Sequence, residues 1–390
     1  MQTVKLGTLG TFQSGGTPKK SEPRFFGGKI PWISTTALDG APIGAEAAAT
    51  FLTDDALRHS AAKLVPAGSL LVGIRIGIGK NAVNRVPMAT SQDIVAITGI
   101  DTDRWSLPYL MLFLEAARPR LQSLARGATI QGIQTGDVKN LDVPDLPLAE
   151  QQRIVRELQQ VGALLANRRQ VDEKLAELPK ARFVEMFGDP VVNPRGWEKQ
   201  RISNISIRAN NGMARRGNDP DGNIVLRLVE LQDGYIDYQA PNRILLTPGE
   251  KEKYLLTEGD FLFARVNGNP ENVGRCAVFH DIGEPVYHND HIIRYHFNQH
   301  IDGTYLSALL NSYYGKWQMH SKIKTSAGQY TISQDGIGEV EVPLPPLDLQ
   351  RRFAAFARAC AAQRAACARQ IAVLETLRGK LLQDAFGAAG

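Results

Sequence analysis

Two kinds of hydrophobic pattern alternate along this chain. The first is short: GSLLVGIRI from Gly68, QDIVAIT from Gln92, NIVLRLVEL from Asn223, GDFLFARV from Gly259 and HIIRYHF from His291 are apolar runs bounded by Gly, Pro or Asn. Such runs between turn formers predict strands, whereas LPYLMLFLEAA from Leu107 predicts a helix. The second pattern is long: Ile154, Leu158, Val161, Leu165, Val171, Leu175 and Leu178 follow one another by three or four positions, broken only at Arg168. That period predicts a helix with a seam that packs lengthwise against a partner helix. Pro179 is expected to end or kink it near Leu178, leaving KARFVEMFGDP as a second short helix.

The long pattern occurs twice. PLAEQQRIV from Pro147 returns as PLDLQRRFA from Pro346, 199 residues on. At this offset Gln151 meets Gln350, Arg153 meets Arg352, and the match runs without gaps to Phe187/Phe386 and Gly188/Gly387. The seam maps onto Phe353, Ala357, Cys360, Arg364, Gln370, Leu374 and Leu377, a weaker copy of the first. Upstream, Ile133 meets Ile332 and Val143 meets Val342, and then the offset drifts: PAGSLLV at Pro66 resembles TEGDFLF at Thr257. Duplication with loop insertions accounts for all of this. Each half then has a loop-rich segment of roughly 140 residues and a helical one of roughly 40, about 45 to 60 Å of helix at 1.5 Å per residue. Two copies of one seam can bury each other as an antiparallel pair.

Composition narrows the function classes. With 390 residues, 43% hydrophobic and 22% charged, the chain reads as two or three folded domains. There is no run of eighteen apolar residues and no hydrophobic signal core in MQTVKLGTLG, so no membrane partner and a cytoplasmic location are expected. The net charge of +5 suits a polyanionic partner without identifying one. Cys276, Cys360 and Cys367 lack the spacing of a zinc site, and Cys360 and Cys367 are read as small packing residues of the seam.

Catalytic motifs fail on inspection. GIRIGIGKNA from Gly73 lacks the first glycine and the Ser/Thr of a phosphate-binding P-loop. Gly77, Gly79 and Ala82 fit a loose G-x-G-x-x-A, yet no acidic residue follows at dinucleotide-binding spacing. NPRGW at Asn193 has Arg195 and Gly196 where an amino-methyltransferase needs proline and an aromatic, and no Glu-x-Lys is present for a metal-dependent nuclease. His288, His291, His296 and His300 cluster in sequence, but an i, i+3 pair faces opposite sides of a strand. No catalytic residue and no metal site are expected on this chain.

Several segments, taken in order, carry a family resemblance: KLGTLGTFQSGGTPKK, GGKIPWISTTAL, PAGSLLVGIRIGIGKNAV, GATIQGIQTGDVKNLDVPDLPLAEQQRIV, FVEMFGDPVVNPRGWE and their second-half counterparts. Together they resemble the DNA-specificity subunits of type I restriction-modification systems over essentially the whole chain. The resemblance implies an α+β fold. Two pseudo-repeated mixed α/β target-recognition domains, 1–145 and 191–345, are separated by two long helices, 146–190 and 346–390, packed as an antiparallel coiled coil. It also implies that each domain reads one half of a bipartite double-stranded DNA site while the helices set the gap. The family is a non-catalytic adaptor for two methyltransferase subunits and, for cleavage, two restriction subunits; these partners bring S-adenosylmethionine, Mg²⁺ and ATP. The competing reading is a stand-alone DNA-binding or protein-interaction module outside any modification system.

The DNA-binding candidates are polar loop residues, because Arg can grip guanine, Asn or Gln can grip adenine, and Lys and Thr can hold phosphates. In the first half they are Thr17, Lys19, Lys20, Arg75, Lys80, Arg126, Thr129 and Gln131. In the second half they are Arg215, Arg216, Arg265, Asn267, Asn269, Lys322, Lys324, Gln329 and Tyr330.

Overall fold

In the first half the run LLVG forms the strand Leu70–Gly73, whose leucines and valine are wholly buried because both faces of its sheet are covered. A computed structural model describes residues 2–127, 131–326 and 328–387. They fall into two compact units: one runs to Arg169 and resumes at Arg369, and the other is Gln170–Ala368.

The first unit is built on a five-stranded sheet in the order Thr11–Ser14, Ile94–Thr98, Leu70–Gly73, Asn81–Asn84, Pro42–Ile43, antiparallel except for the last pair. Strand alternation sends Leu70, Val72, Val95 and Ile97 to the side covered by the helix Leu107–Ser123. Leu71, Ala82, Ile94 and Ala96 point the other way, into a second core with Ile33, Val65 and Met88. A four-stranded sheet in the order Thr50–Leu52, Phe26–Ile33, Met88–Thr90, Leu64–Val65 completes the unit. The second unit repeats the plan. Its antiparallel sheet runs Ser206–Asn211, Ile292–Phe297, Phe261–Ala264, Cys276–Val278. Phe261, Phe263, Ile293 and Tyr295 face the helix Gly303–Leu310, while Leu262, Ala264 and Ile292 face away.

Each sheet is tied to a long helix by the same polar device. Gln151 is fully buried at the foot of the helix Leu148–Phe187: its amide donates to the carbonyls of Leu146 (2.9 Å) and Arg104 (3.1 Å), and its oxygen accepts from the Ser106 N–H (2.9 Å). Gln350, at the foot of the helix Leu347–Phe386, bonds Pro345 (2.8 Å), His300 (3.2 Å) and Asp302 (2.8 Å) in the same way. Tyr109 donates to the Pro144 carbonyl at 3.1 Å, and Tyr305 to that of Pro343 at 2.9 Å. A buried amide with donor and acceptor both engaged specifies one helix orientation, since breaking either side leaves an unpaired polar group in the core.

Both long helices are 40 residues and each contributes to both units. In the first unit, Ile154 and Leu158 share a core with Ala385 and Phe386, and Arg169 pairs with Glu375 at 2.7 Å. In the second, Phe183 and Phe187 pack on Phe353, and Asp172 pairs with Arg364 at 3.0 Å. Ascending one helix therefore descends the other, the antiparallel pairing expected of the seam. Ile154, Leu158, Val161, Leu165, Phe353 and Cys360 are buried, as is Cys367. Ala357 packs on the second unit's core, and Val171, Leu175 and Leu374 are half-buried.

Two expectations for these helices are corrected. The first helix runs through Pro179 without a break. Proline removes one intrahelical hydrogen bond and crowds the preceding turn, but Phe183 and Phe187 beyond it are locked against Tyr305 and Phe353. Leu178 and Leu377 are not seam residues; they are 45% and 42% exposed. A strict 3.5-residue repeat drifts about 20° per heptad on a straight helix. Beyond the step at Arg168 the stripe moves by fours through Leu175 and Pro179 to Phe183. At the equivalent place in the other helix Arg378 turns inward and pairs with Glu115 at 2.6 Å, leaving Leu377 outside.

Candidate nucleic-acid interface

Four loops of the first unit meet along one rim. The loop after Ser14 begins with Gly15, whose N–H bonds the Ile94 carbonyl at 3.0 Å. Two residues on, the Thr17 hydroxyl accepts from the Gln92 N–H at 3.5 Å. The neighbouring Asp93 carbonyl accepts from Ile74 at 2.8 Å, and its carboxylate lies 4.0 Å from Arg75. Arg75 and Arg126 both bridge to Gly132, next to the exposed Gln131. The exposed Lys19 and Lys20 belong to the first of these loops. Thr17, Lys19, Lys20, Arg75, Arg126 and Gln131, scattered over 115 positions of sequence, are thus on neighbouring loops, while Thr129 lies outside the described residues.

The second unit builds the same rim from equivalent loops. Gly212 bonds the Ile292 carbonyl at 3.3 Å, as Gly15 bonds Ile94. Arg265 donates its backbone N–H to His291 at 2.8 Å, as Ile74 does to Asp93. The bridge of Arg75 to Gly132 becomes a three-stranded sheet of Val266–Asn267, Gln329–Thr331 and Lys324–Ser326, in which Asn267 and Thr325 both pair with Tyr330. Arg216 reaches Asp290 at 2.8 Å and the His291 ring at 3.0 Å, and the Arg265 guanidinium donates to the Asp290 carbonyl at 3.4 Å. Asn267 and Asn269 shape the adjoining turn: the Asn269 N–H bonds the Asn267 side chain at 2.9 Å, and the Asn269 side chain accepts from Glu271 at 3.1 Å.

An acidic residue thus sits among the arginines of each rim, Asp93 in one and Asp290 in the other. Asp290 orients the Arg216 guanidinium, which remains about half-exposed, whereas Asp93 is only a charge 4.0 Å from Arg75; an oriented guanidinium loses less freedom when it meets a planar acceptor pair. Burial holds His291 below the usual imidazole range, and Arg216 and Arg265 lower it further against the pull of Asp290.

Other candidates stand apart. Lys80 faces a cavity of about 500 Å³ lined also by Asn81, Glu115, Arg118 and Arg378. Arg215 turns to Glu250 at 2.8 Å, where the Thr247 backbone and hydroxyl already hold that carboxylate below its ordinary range. Lys322 pairs with Glu339 at 2.5 Å. The four histidines diverge too: the His296 ring lies 2.8 Å from the buried Asp260 carboxylate, while burial pushes the His288 imidazole down to about 3.

Sequence reading missed Gly15, Gly212, Asp93 and Asp290, and weighed His291 only as a metal ligand. The signal was present in the duplication, since Ser91–Asp93 and Asn289–His291 precede matching strands, but neither segment looks basic.

A family model for the type I restriction modification DNA specificity domain matches the chain twice, at residues 1–177 and 194–370. The chain is 27% identical over 295 residues to the specificity subunit of the type I restriction enzyme StySPI of Salmonella potsdam, covering 71% of this chain and 63% of that protein. It is 26% identical over 248 residues to the EcoKI specificity subunit of Escherichia coli K12, covering 60% and 53%. The match therefore spans between half and two thirds of these relatives' length. Among solved structures, the S subunit of a type I restriction-modification system from M. genitalium aligns with a TM-score of 0.59 at 16% identity, over 99% of this chain and 96% of that one. A chain from a structural study of complex assembly in the type I R-M system aligns at 0.63 and 18% identity, over 99% and 97%. These two structures share the fold, and with a domain match in each half, this chain belongs to the family of type I restriction modification DNA specificity domains.

Proposed function

We propose that this chain is the DNA-specificity subunit of a type I restriction-modification enzyme and reads a bipartite duplex site, one half-site per rim. The observation that carries the reading is the repetition of the rim. Equivalent loops in both units carry Arg, Lys and Gln near an aspartate, with Asn267 and Asn269 added in the second, which suits one half-site per unit. In this reading the chain performs no catalysis. Two methyltransferase subunits supply the S-adenosylmethionine chemistry, and two restriction subunits add cleavage with Mg²⁺ and ATP.

The test is to map N6-methyladenine by long-read sequencing in a host lacking modification, with this chain plus its genomically neighbouring methyltransferase, and with the methyltransferase alone. A split motif of constant gap, methylated only when this chain is present, is the expected result. No new methylation from a soluble complex would reject the reading in favour of a DNA-binding role outside modification.

Two variants refine it. Arg265→Ala is expected to weaken binding to one half-site by about tenfold or more, the usual range for losing a guanidinium contact to a base, and to leave the other half-site unchanged. Unaltered binding to duplexes with either half-site scrambled would remove Arg265 from the interface. Inserting seven residues at equivalent places in both long helices keeps the seam in register and adds about 10 Å. The gap in the methylated motif should lengthen by about three base pairs at roughly 3.4 Å each, with the half-sites themselves unchanged. An unchanged gap would reject the helices as the spacer.

A further inference from the structure

The loop between the strands Leu70–Gly73 and Asn81–Asn84 carries an apolar side chain outward where folding alone would not place one. Ile76 is 62% exposed at a backbone φ of 33°, a left-handed conformation that a β-branched residue rarely adopts. The tip is held rather than loose. The Gly73 N–H bonds the Lys80 carbonyl at 2.8 Å, Gly79 bonds the Gly73 carbonyl at 2.9 Å, and Lys80 bonds the Gly77 carbonyl at 3.0 Å. Gly77 and Gly79 supply two more left-handed turns, at φ 98° and 76°. Ile76 directly follows Arg75, which bridges to Gly132 on the rim. In the second unit the equivalent bridge is Val266 to Thr331, and the residue after it is Asn267, a polar side chain on a regular strand. The two rims thus offer opposite chemistry at one position, and only the apolar choice is presented under backbone strain, a pattern characteristic of functional sites.

If the rims read DNA as proposed above, an exposed, rigid, apolar tip needs an apolar partner among base edges. The major groove displays one such group, the 5-methyl of thymine. We propose that Ile76 is a specificity-determining residue that packs on a thymine methyl in the half-site read by the first unit, while Asn267 hydrogen-bonds at the corresponding place in the other half-site.

The experiment uses the full chain. Its preferred duplex is first selected from a random library, and each thymine of the half-site lost on scrambling the first rim's target is then replaced by deoxyuridine. Fluorescence anisotropy should show one replacement that weakens wild-type binding about fourfold, the scale of one buried methyl group. Ile76→Ala should bind the thymine duplex weaker by a similar factor and lose nothing further on deoxyuridine, because the two changes remove the same contact. Retained binding to the other half-site shows that the variant is folded. An equal deoxyuridine loss in wild type and variant, or no thymine whose methyl matters, would overturn the assignment of Ile76 while leaving the DNA-reading proposal intact. Selection of no sequence by the wild-type chain would overturn both.

Discussion

Replacing Phe386 by alanine should lower the stability of the first unit by about 3–5 kcal/mol, the range for emptying a buried phenylalanine site. The ring is 3% exposed although it stands at the end of its helix. Its centroid is 5.2 Å from that of Tyr109 and 5.9 Å from that of Phe113 in a tilted and edge-on arrangement that adds to simple burial. Alanine there leaves a void between the helix end and the sheet-covering helix Leu107–Ser123, and neither backbone can collapse without moving the other. Phe187→Ala should do the same to the second unit, where that ring packs on Tyr305 and Phe353 at 4.7 and 5.6 Å. Tyr109→Phe, which removes only the hydrogen bond to Pro144, should cost about 1 kcal/mol. Chemical denaturation of the full chain, followed by exchange protection of the two sheets, separates these effects. A Phe386→Ala loss below about 1 kcal/mol, or equal loss of protection in both sheets, would show that the ring does not anchor its own unit.

What could be read in advance follows from how local each constraint is. The strands near Leu70, Ile94, Phe261 and Ile292 were legible because both faces of a covered sheet demand apolar residues, so the runs are unbroken. Gln151 and Gln350 were visible as a repeat, but their role depends on carbonyls at Arg104 and His300, more than forty residues away. Leu178 and Leu377 were misplaced because a 3.5-residue template ignores rotation accumulated along the helix, and Pro179 because tertiary packing on Phe183 outweighs a local propensity. Arg215 and Lys322 looked free, yet each has a carboxylate partner, Glu250 and Glu339, 35 and 17 residues away in sequence, as Arg216 has in Asp290. Sequence pattern finds surfaces through polarity; it does not tell which cations already have a partner.

The second large effect is expected at two glycines that carry no chemistry. A Cβ on Gly212 would lie 2.2 Å from the Asn289 carbonyl oxygen and 2.3 Å from that of His288, and one on Gly15 would lie 2.1 Å from the Ser91 carbonyl oxygen. Backbone atoms cannot rotate aside as a side chain can, so alanine at either place must push the facing loop back by about 1 Å, a change that typically costs 1–3 kcal/mol. The displaced segment in the second unit carries Asp290 and His291, which hold Arg216 at 2.8 and 3.0 Å, and the His291 carbonyl accepts the Arg265 N–H at 2.8 Å. A positional error of that size at several contacts is expected to weaken binding to the second unit's half-site by about tenfold or more, since each contact is worth about 1–3 kcal/mol only when aligned. Gly15→Ala should weaken the other half-site to a similar degree through Asp93 and Arg75. Gly249, with nothing within 4 Å of its Cβ position, provides the control, and Gly249→Ala should bind as wild type. Anisotropy titrations with each half-site scrambled in turn measure the three variants side by side. Reciprocal losses confined to one half-site each would tie each rim to its own half of the target. Wild-type binding by Gly212→Ala would mean that the Asp290 loop does not face DNA, and equal losses at both half-sites without a change in melting would mean that the rims do not act separately.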